Sequence, residues 1–122
     1  MMKKNFQDMS SDELVSAYEK IIVEQDKSFL LSKIAKYNRE YKIRAAIVDE
    51  LRARPGDQRQ LLVPFLDRRE PWMRICVASD TYSLNPERSR QYMQTVVNYP
   101  FDPYRGEAAS ALGGWSRGHT PR

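Results

Sequence analysis

The side chains best suited to chemistry in this chain are one cysteine, one histidine and a few adjacent acids. Cys76 would need a nearby base to act as a nucleophile. The only histidine, His119, lies in the polar C-terminal sequence SRGHTPR. A free cysteine in the middle of a helix is more often a small buried hydrophobic residue. We therefore predict no catalytic Cys–His pair.

The sequence also lacks a clear arrangement of residues for a metal site, an acid–base pair or a phosphate-binding loop. One cysteine and one histidine cannot complete a tetrahedral metal site. The adjacent acids at 24–26 and 49–50 could do acid–base work, but such acids usually form a solvated helix surface. Gly106 and the pair at 113–114 form no phosphate loop, because no lysine follows them. We predict a protein that is not an enzyme, with no catalytic residues, metal or cofactor.

Length and composition bound the class of protein. At 122 residues with 41% hydrophobic residues, the chain predicts one soluble domain spanning 1–122. No apolar run approaches the roughly 20 residues of a membrane-spanning helix. The start, MMKKNFQDMS, lacks the apolar stretch of a signal peptide. A single cysteine fits a reducing compartment. We expect a cytoplasmic protein without a membrane partner.

The charge pattern argues against a dominant nucleic-acid site. Nine basic and nine acidic residues precede residue 52, so the whole net charge of +4 comes from residue 52 onward. The excess is spread singly among acids, and no basic stripe is visible. Nucleic-acid binding is kept as the alternative function. In it, arginines of the second and third repeats, which are described below, would contact a DNA backbone. The candidates are Arg59, Arg68, Arg69, Arg88 and Arg90 in those repeats, with Arg52 and Arg54 just before them.

Local signals predict seven helices and no strand. Ser10 and Glu13 have capping-box spacing, and Asn85-Pro86-Glu87 combines a cap, a first-position proline and an early acid. Pro64 should kink the fourth helix or displace its start. The predicted helices cover 10–24, a second from 26–28 onward, 39–53 before Arg54-Pro55-Gly56, 58–67, 71–84, one from 86, and one from 103 that is stopped by Gly113-Gly114.

The strongest pattern in the chain is an internal repeat. An apolar quartet occurs three times at a shift of 31 residues, and an arginine followed by two small or apolar residues occurs in step with it. The quartets are Leu30-Leu31-Ile34-Ala35, Leu61-Leu62-Phe65-Leu66 and Tyr92-Met93-Val96-Val97, and the arginines are Arg44, Arg74 and Arg105. The spacing predicts three helical hairpins at 28–54, 57–84 and 86–114, preceded by a capping helix at 10–24 and followed by a tail at 115–122. An irregular helical bundle is the alternative.

These motifs resemble the second helix of a HEAT-like repeat. The sequences WMRICVASD and YRGEAASALG carry the resemblance. With Glu24-Gln25-Asp26, the IAKYNR sequence at 34–39 and Met73-Arg74, the chain also looks like a small uncharacterised bacterial family of HEAT-like proteins. The resemblance implies an all-α fold, a right-handed α-α superhelix of about three hairpins, and it points to no particular chemistry.

In such a fold the repeated arginines are structural. Each would bond the preceding turn between helices or a neighbouring repeat, and Asp67 is the predicted acceptor for Arg74. Asn98, at the position equivalent to Asp67, holds an amide instead of an acid. Ligand binding by these arginines is the minority interpretation.

Trp72 is the one feature that the repeat leaves unexplained, because Lys42 and Pro103 stand at the equivalent positions. Two interpretations stay open. We favour packing, since a central helix is apolar over most of its circumference. The other places Trp72 on a binding groove as an anchor. With Ser79 on the same side, and with Lys42 and solvent-facing Asp49 on the earlier helix, it forms our set of candidate partner-binding residues.

Three functions compete on this basis. The leading hypothesis is a non-enzymatic protein-interaction module of unknown biological role, since solenoids offer extended surfaces and no catalytic arrangement is present. Its partner would be another protein, with self-association through an uncovered end as a variant. DNA-backbone binding is the second, and lyase-like chemistry, which lacks a placed acid–base pair, is the third.

Overall fold

The computed structural model describes residues 5–122, and over that range it contains helices and no strand. Internal contacts divide the chain into two compact units, with the division after Leu61. Unit 1 holds α1 and α2, and unit 2 holds α3, α4 and α5. The bounds are α1 Ser11–Leu30, α2 Ile34–Ala53, α3 Pro71–Asp80, α4 Pro86–Val97 and α5 Tyr104–Ser116, with 3₁₀ segments at Phe6–Asp8, Gln58–Asp67 and Tyr82–Leu84.

The first helix begins at the predicted capping box. The Glu13 amide donates to Ser10 Oγ at 3.1 Å, and the Ser10 amide donates to Glu13 Oε1 at 2.9 Å. Residues at steps of three and four then form one buried stripe. Its members are Leu14, Tyr18, Ile22, Gln25 and Ser28. The stripe packs against α2, which buries Glu40, Arg44, Ile47, Val48 and Leu51.

The break predicted near residues 25–27 is wrong. One continuous helix runs to Leu30, and the chain turns at 31–33 before α2. Gln25 and Ser28 face α2 and are buried, so packing carries the helix past the point where its apolar pattern fades. The separate capping helix at 10–24 and the hairpin beginning at 28 therefore do not form. The first apolar quartet lies at the turn, where Leu30, Leu31 and Ile34 are exposed.

The second helix, α2, ends just before Arg54-Pro55-Gly56, as the proline and glycine predicted. Its last residue is Ala53, and Gly56 follows with a φ of 80°. The fourth predicted helix has the predicted bounds, Gln58–Asp67, but it is a 3₁₀ helix. Pro64 inside it has no amide to donate, and its ring crowds the preceding turn, so a regular α-helix is disfavoured over this segment. Leu62 and Leu66 are buried, whereas Leu61 of the same quartet is 42% exposed.

Helix α3 is apolar over most of its circumference. It buries Trp72, Met73, Ile75, Cys76, Val77 and Ala78. It packs against both α4 and α5 within unit 2, which explains why so many of its positions are covered. It ends at Asp80, earlier than predicted, where the Thr81 hydroxyl donates to the Val77 carbonyl at 2.7 Å.

The last two helices begin at proline-marked sites. Asn85 caps α4 by accepting from the Arg88 amide at 3.1 Å, as predicted. The predicted stop at Gly113-Gly114 is wrong, because α5 continues to Ser116. Trp115, assigned to the tail in our prediction, belongs to that last turn and packs on Tyr82 with 4.7 Å between ring centroids. The chain leaves α5 through Gly118, whose φ of 90° suits glycine.

Candidate binding surfaces

A buried polar cluster joins α1 to α2 beside their turn, and we call Gln25, Ser28, Lys36, Glu40 and Arg44 the polar cluster. Arg44 Nη1 donates to Gln25 Oε1 at 2.7 Å. The Ser28 hydroxyl donates to Glu40 Oε1 at 2.5 Å, and Lys36 Nζ donates to Glu40 Oε2 at 3.0 Å. The two segments around 24–26 and 34–39, which carried the resemblance to a bacterial family, thus lie close together across the α1–α2 pair.

The polar cluster places a serine, a lysine and a carboxylate together, but its electrostatics do not suit catalysis. A lysine base needs a lowered pKa. The pKa of Lys36 is instead raised, chiefly by its hydrogen bond to the Glu40 carboxylate. Ser28 is only 1% exposed and is therefore closed to a substrate. The arrangement holds α1 and α2 together.

The three repeated arginines have three different environments. Arg44 is buried and also lies 5.1 Å from the centre of the Tyr41 ring. Arg74 Nε donates to the carbonyls of Leu66 and Arg68 at 3.1 and 2.7 Å, so it bonds the preceding turn as predicted.

The remaining parts of the arginine prediction do not hold. The predicted acceptor of Arg74, Asp67, instead accepts from the Tyr92 hydroxyl at 2.6 Å. Arg105 is exposed and pairs with Asp102 at 2.9 Å. Arg105 therefore lies on the surface, although its sequence position matches those of Arg44 and Arg74.

The four candidate partner-binding residues divide between the units. Trp72 and Ser79 lie on α3 of unit 2, where Trp72 is 2% exposed and Ser79 is half-buried. The favoured packing interpretation of Trp72 is therefore right, and the groove-anchor interpretation is wrong. Lys42 and Asp49 are exposed on α2 of unit 1. Asp49 pairs with Arg52 at 3.8 Å and lines a shallow groove of about 490 Å³. The groove is lined by Asn5, Phe6, Gln7, Ala46, Asp49 and Glu50.

The loop between α4 and α5 carries an aromatic surface that sequence reasoning missed. We call Tyr99, Phe101 and Tyr104 the aromatic loop. The Tyr99 ring contacts Phe101 and Tyr104 edge to face, at centroid distances of 5.8 and 6.3 Å. Phe101 is 64% exposed. The sequence YPFDPY could have indicated it, since three aromatic residues and two prolines within six positions are unusual for a solvated connection.

The turn between α1 and α2 carries a second exposed surface, and we call Leu30, Leu31 and Ile34 the apolar turn. These side chains are 51%, 64% and 72% exposed. The repeat pattern assigned them to a shared core, so this surface too was missed. The available signal was the charge of the surrounding segment, 27–44, which holds six basic residues and one acid.

The arginines proposed for DNA binding are largely engaged by carboxylates of the same chain. Arg54 Nε lies 2.9 Å from Glu50, and Arg59 Nη2 lies 2.6 Å from Asp57. That contact lowers the pKa of Asp57, chiefly through the side-chain hydrogen bond from Arg59. Arg52 and Arg68 also pair with acids. Arg90 lies over the Tyr82 ring at 5.6 Å.

The residues first weighed for chemistry are placed as follows. Cys76 is buried in α3, and His119 is exposed after α5. Over residues 5–122, no group of three or more His, Cys, Asp or Glu side chains could hold a metal ion. No helix within that range is both long and apolar enough to cross a membrane.

Similarity to other proteins now defines the class. Residues 12–114 match the family described as "Domain of unknown function (DUF2019)", and the chain belongs to that family. Among solved structures it is similar to the crystal structure of the protein RPA1889 from Rhodopseudomonas palustris CGA009. The two are 30% identical with a TM-score of 0.89, over 98% of this chain and 99% of the other. No curated protein matches the chain.

Proposed function

We propose that this protein is a non-enzymatic protein-interaction module and that the aromatic loop of unit 2 is its docking surface. The observation that carries the proposal is Phe101, a large aromatic side chain that is 64% exposed. Burying such a ring gains far more than burying the small or charged side chains that usually occupy a loop.

The aromatic loop is ordered before any partner arrives. Tyr99 supports Phe101 and Tyr104 by edge contacts, so the Phe101 ring is held from one side while its other side faces water. Pro100 and Pro103 restrict the backbone on either side of it. Preorganisation lowers the entropy lost on binding, and aromatic residues are enriched at the centres of protein interfaces.

The geometry also describes the partner. A single protruding ring fits an apolar pocket on another protein, in the way that interface anchors usually do. Beside it, Arg105 Nη2 and Asp102 Oδ2 form an exposed ion pair at 2.9 Å. These two charges suit the polar rim that surrounds the buried centre of an interface. We therefore propose a protein partner with an apolar pocket and hydrogen-bonding groups at its edge.

We further propose that the helical pairs are of the HEAT-like type. The hydrogen bonds from Arg74 to the preceding turn support this, because the resemblance implied that role for the repeated arginine. The exposed position of Arg105 does not support it. Binding to a DNA backbone is the weaker alternative, since four of its seven arginines are paired with acids of this chain and the rest are Arg69, Arg88 and Arg90.

The test is photo-crosslinking followed by affinity measurement. A benzophenone amino acid replaces Phe101 in one variant and Tyr41, which is 50% exposed on α2, in the control. We expect one protein to crosslink in the producing cells from position 101 and not from 41. The purified partner should then bind Phe101→Ala at least about tenfold more weakly than wild type, as for an anchor residue.

Two results would count against this function. One is an affinity for the purified partner that Phe101→Ala leaves unchanged. The other is a salt-sensitive mobility shift of duplex DNA that is lost when Arg69, Arg88 and Arg90 are replaced by glutamine, which would support the nucleic-acid alternative.

A further inference from the structure

We infer that the apolar turn of unit 1 is a contact surface for anionic lipid membranes, an activity separate from the protein docking proposed above. The starting observation is the exposure of Leu30, Leu31 and Ile34, at 51%, 64% and 72%. They lie at the end of the α1–α2 pair, where two antiparallel helices turn. Such a projecting apolar end can enter the boundary between lipid headgroups and acyl chains without any spanning helix.

The backbone of the turn meets the main requirement for entering that boundary. An unsatisfied amide is costly in an apolar medium. The amides of residues 31, 32, 33 and 34 all donate within the turn. Their acceptors are the carbonyls of Lys27, Phe29, Ser28 and Ser32, at 3.0, 3.2, 2.9 and 3.1 Å. The apolar side chains can therefore leave water without stranding these donors.

The charges around the turn favour a negatively charged surface. Segment 27–44 carries six basic residues and one acid, a net charge of +5 within a chain of +4. That acid, Glu40, is 6% exposed and is bound by Lys36 and Ser28. Exposed basic residues remain on both sides of the apolar turn. They are Lys27, Lys33, Arg39 and Lys42.

The acids closest in sequence are Glu24 and Asp26, both on α1. Glu24 pairs with Lys27 at 3.5 Å and with Lys36 at 3.4 Å, and these lysines lower its pKa. Asp26 is half-buried. The basic character of the turn is therefore only partly offset, and it persists at neutral pH.

Composition separates this surface from the aromatic loop. Leucine is under-represented among interface hot spots and lysine is depleted from protein interfaces. Leucine with lysine on an adjoining face is instead typical of segments that lie on membranes. A nucleic-acid backbone would use the lysines but would leave three apolar side chains in water. The absence of a spanning run, from which we predicted no membrane partner, bears only on crossing and not on surface contact.

The polar cluster keeps the turn in a single arrangement. The Lys33 amide donates to the Ser28 carbonyl, while the Ser28 side chain is bound to Glu40. The two ends of the turn are thereby tied to each other and to the buried interior of unit 1. In this arrangement Leu31 and Ile34 stay exposed, at 64% and 72%.

Co-sedimentation of the full chain with lipid vesicles tests the inference. The vesicles are phosphatidylcholine alone or with about 30 mol% phosphatidylglycerol, which supplies the negative surface. We expect binding to the mixed vesicles that is at least about tenfold stronger than to neutral ones, and that falls as sodium chloride rises from about 0.05 to 0.5 M, because salt screens the charges.

The variants decide whether the apolar turn is responsible. Leu31→Glu with Ile34→Glu should lower vesicle binding at least about tenfold with the helical circular dichroism unchanged. Val23→Glu with Leu61→Glu is the matched control, since both side chains are exposed apolar residues outside the apolar turn, at 44% and 42%, and the variant adds the same two negative charges; it should bind vesicles like wild type. A polarity-sensitive dye on Leu31→Cys should shift to the blue with mixed vesicles. Cys76, which is 1% exposed, should stay unlabelled.

Several results would overturn the inference. Absence of wild-type binding to mixed vesicles at low salt would do so, as would equal binding by the Leu31→Glu, Ile34→Glu variant. If that variant instead lost the protein identified by crosslinking while vesicles bound neither form, the turn would be a protein-docking site. Failure of the Phe101 experiments alone would remove the proposed function and leave lipid binding intact.

Discussion

The apolar turn of unit 1 and the aromatic loop of unit 2 each expose a large apolar side chain to the same extent, since Leu31 and Phe101 are both 64% accessible. Their supports differ. The turn is fixed by backbone hydrogen bonds and by the polar cluster at its base. The loop is fixed by contacts between aromatic rings.

The difference shows that exposure alone does not identify a partner. Around Leu31 the neighbours are aliphatic and basic, which suits a fluid, negatively charged surface. Around Phe101 they are aromatic and proline residues, which suit a shaped protein pocket. What surrounds an exposed apolar residue, and what holds it in place, therefore decides which partner it fits.

The largest expected effect concerns the support of the apolar turn. Glu40→Ala removes a buried carboxylate that binds Ser28 and Lys36, so unit 1 should lose about 2–3 kcal/mol, somewhat less than for a fully buried pair because Lys36 reaches solvent. Hydrogen exchange of the α1 and α2 amides measures the loss. Fluorescence would follow unit 2, which holds Trp72 and Trp115.

Asp49→Ala is the control for Glu40→Ala, because Asp49 is an exposed acid on the same helix with a 3.8 Å contact to Arg52. Its cost should stay below about 0.5 kcal/mol. If the α1 and α2 amides were equally protected from exchange in the two variants, the polar cluster would not support the turn. The contrast between the two surfaces would then fail.

The second prediction concerns the support of the aromatic loop. Tyr99→Ala removes both edge contacts and should cost about 1–2 kcal/mol. Phe101→Ala removes one contact from an exposed ring and should cost less. Urea unfolding followed by tryptophan fluorescence measures both. A larger cost for Phe101→Ala would show that this ring serves folding and would weaken its assignment as a docking residue.

The smallest effect is pH-dependent and concerns the Tyr92–Asp67 contact of unit 2. The Asp67 carboxylate accepts from the Tyr92 hydroxyl at 2.6 Å and raises the pKa of Tyr92. A raised pKa in the folded state stabilises the protein below the usual tyrosine pKa and ceases to do so as pH rises through the raised value. Tyr92→Phe should therefore cost about 1 kcal/mol near neutral pH.

The difference between wild type and Tyr92→Phe should begin to shrink above about pH 10, where tyrosine in the unfolded chain ionises, and should be lost as pH rises through the raised pKa of Tyr92 in the folded protein. Chemical unfolding of both proteins at matched pH values measures it. A gap that stays constant into alkaline solution would mean that Tyr92 contributes through packing. In that case unit 2 would rely on ring packing even more than the comparison states.

Much of the helical framework could be predicted because its signals are local. The capping box at Ser10, the Asn85-Pro86 start and the Arg54-Pro55-Gly56 exit each act on backbone groups within a few residues. The same kind of signal was misleading at Gly113-Gly114, where Trp115 packs on Tyr82 and α5 continues. The weak pattern near residue 25 was misleading too, because buried polar contacts replaced the missing apolar ones.

The candidate surfaces were harder to predict than the helices. The residues chosen from sequence included Trp72, which is buried, while Phe101 and Leu31 were not chosen. A charge count over 27–44 and the composition of YPFDPY were available signals. Neither shows whether a side chain is covered, since that depends on which helices pack over it.

The sequence by itself determined that the chain is helical, where most helices begin, and that the helix of Trp72 is apolar on nearly all sides. Only the tertiary structure decided which apolar residues stay in water. Leu30-Leu31-Ile34-Ala35 has the same spacing as Tyr92-Met93-Val96-Val97, yet Met93 and Val96 are buried and Leu31 and Ile34 are exposed. Spacing sets the face of the helix on which a side chain lies, but burial requires another element to pack over that face. At the turn between α1 and α2 these side chains stay exposed.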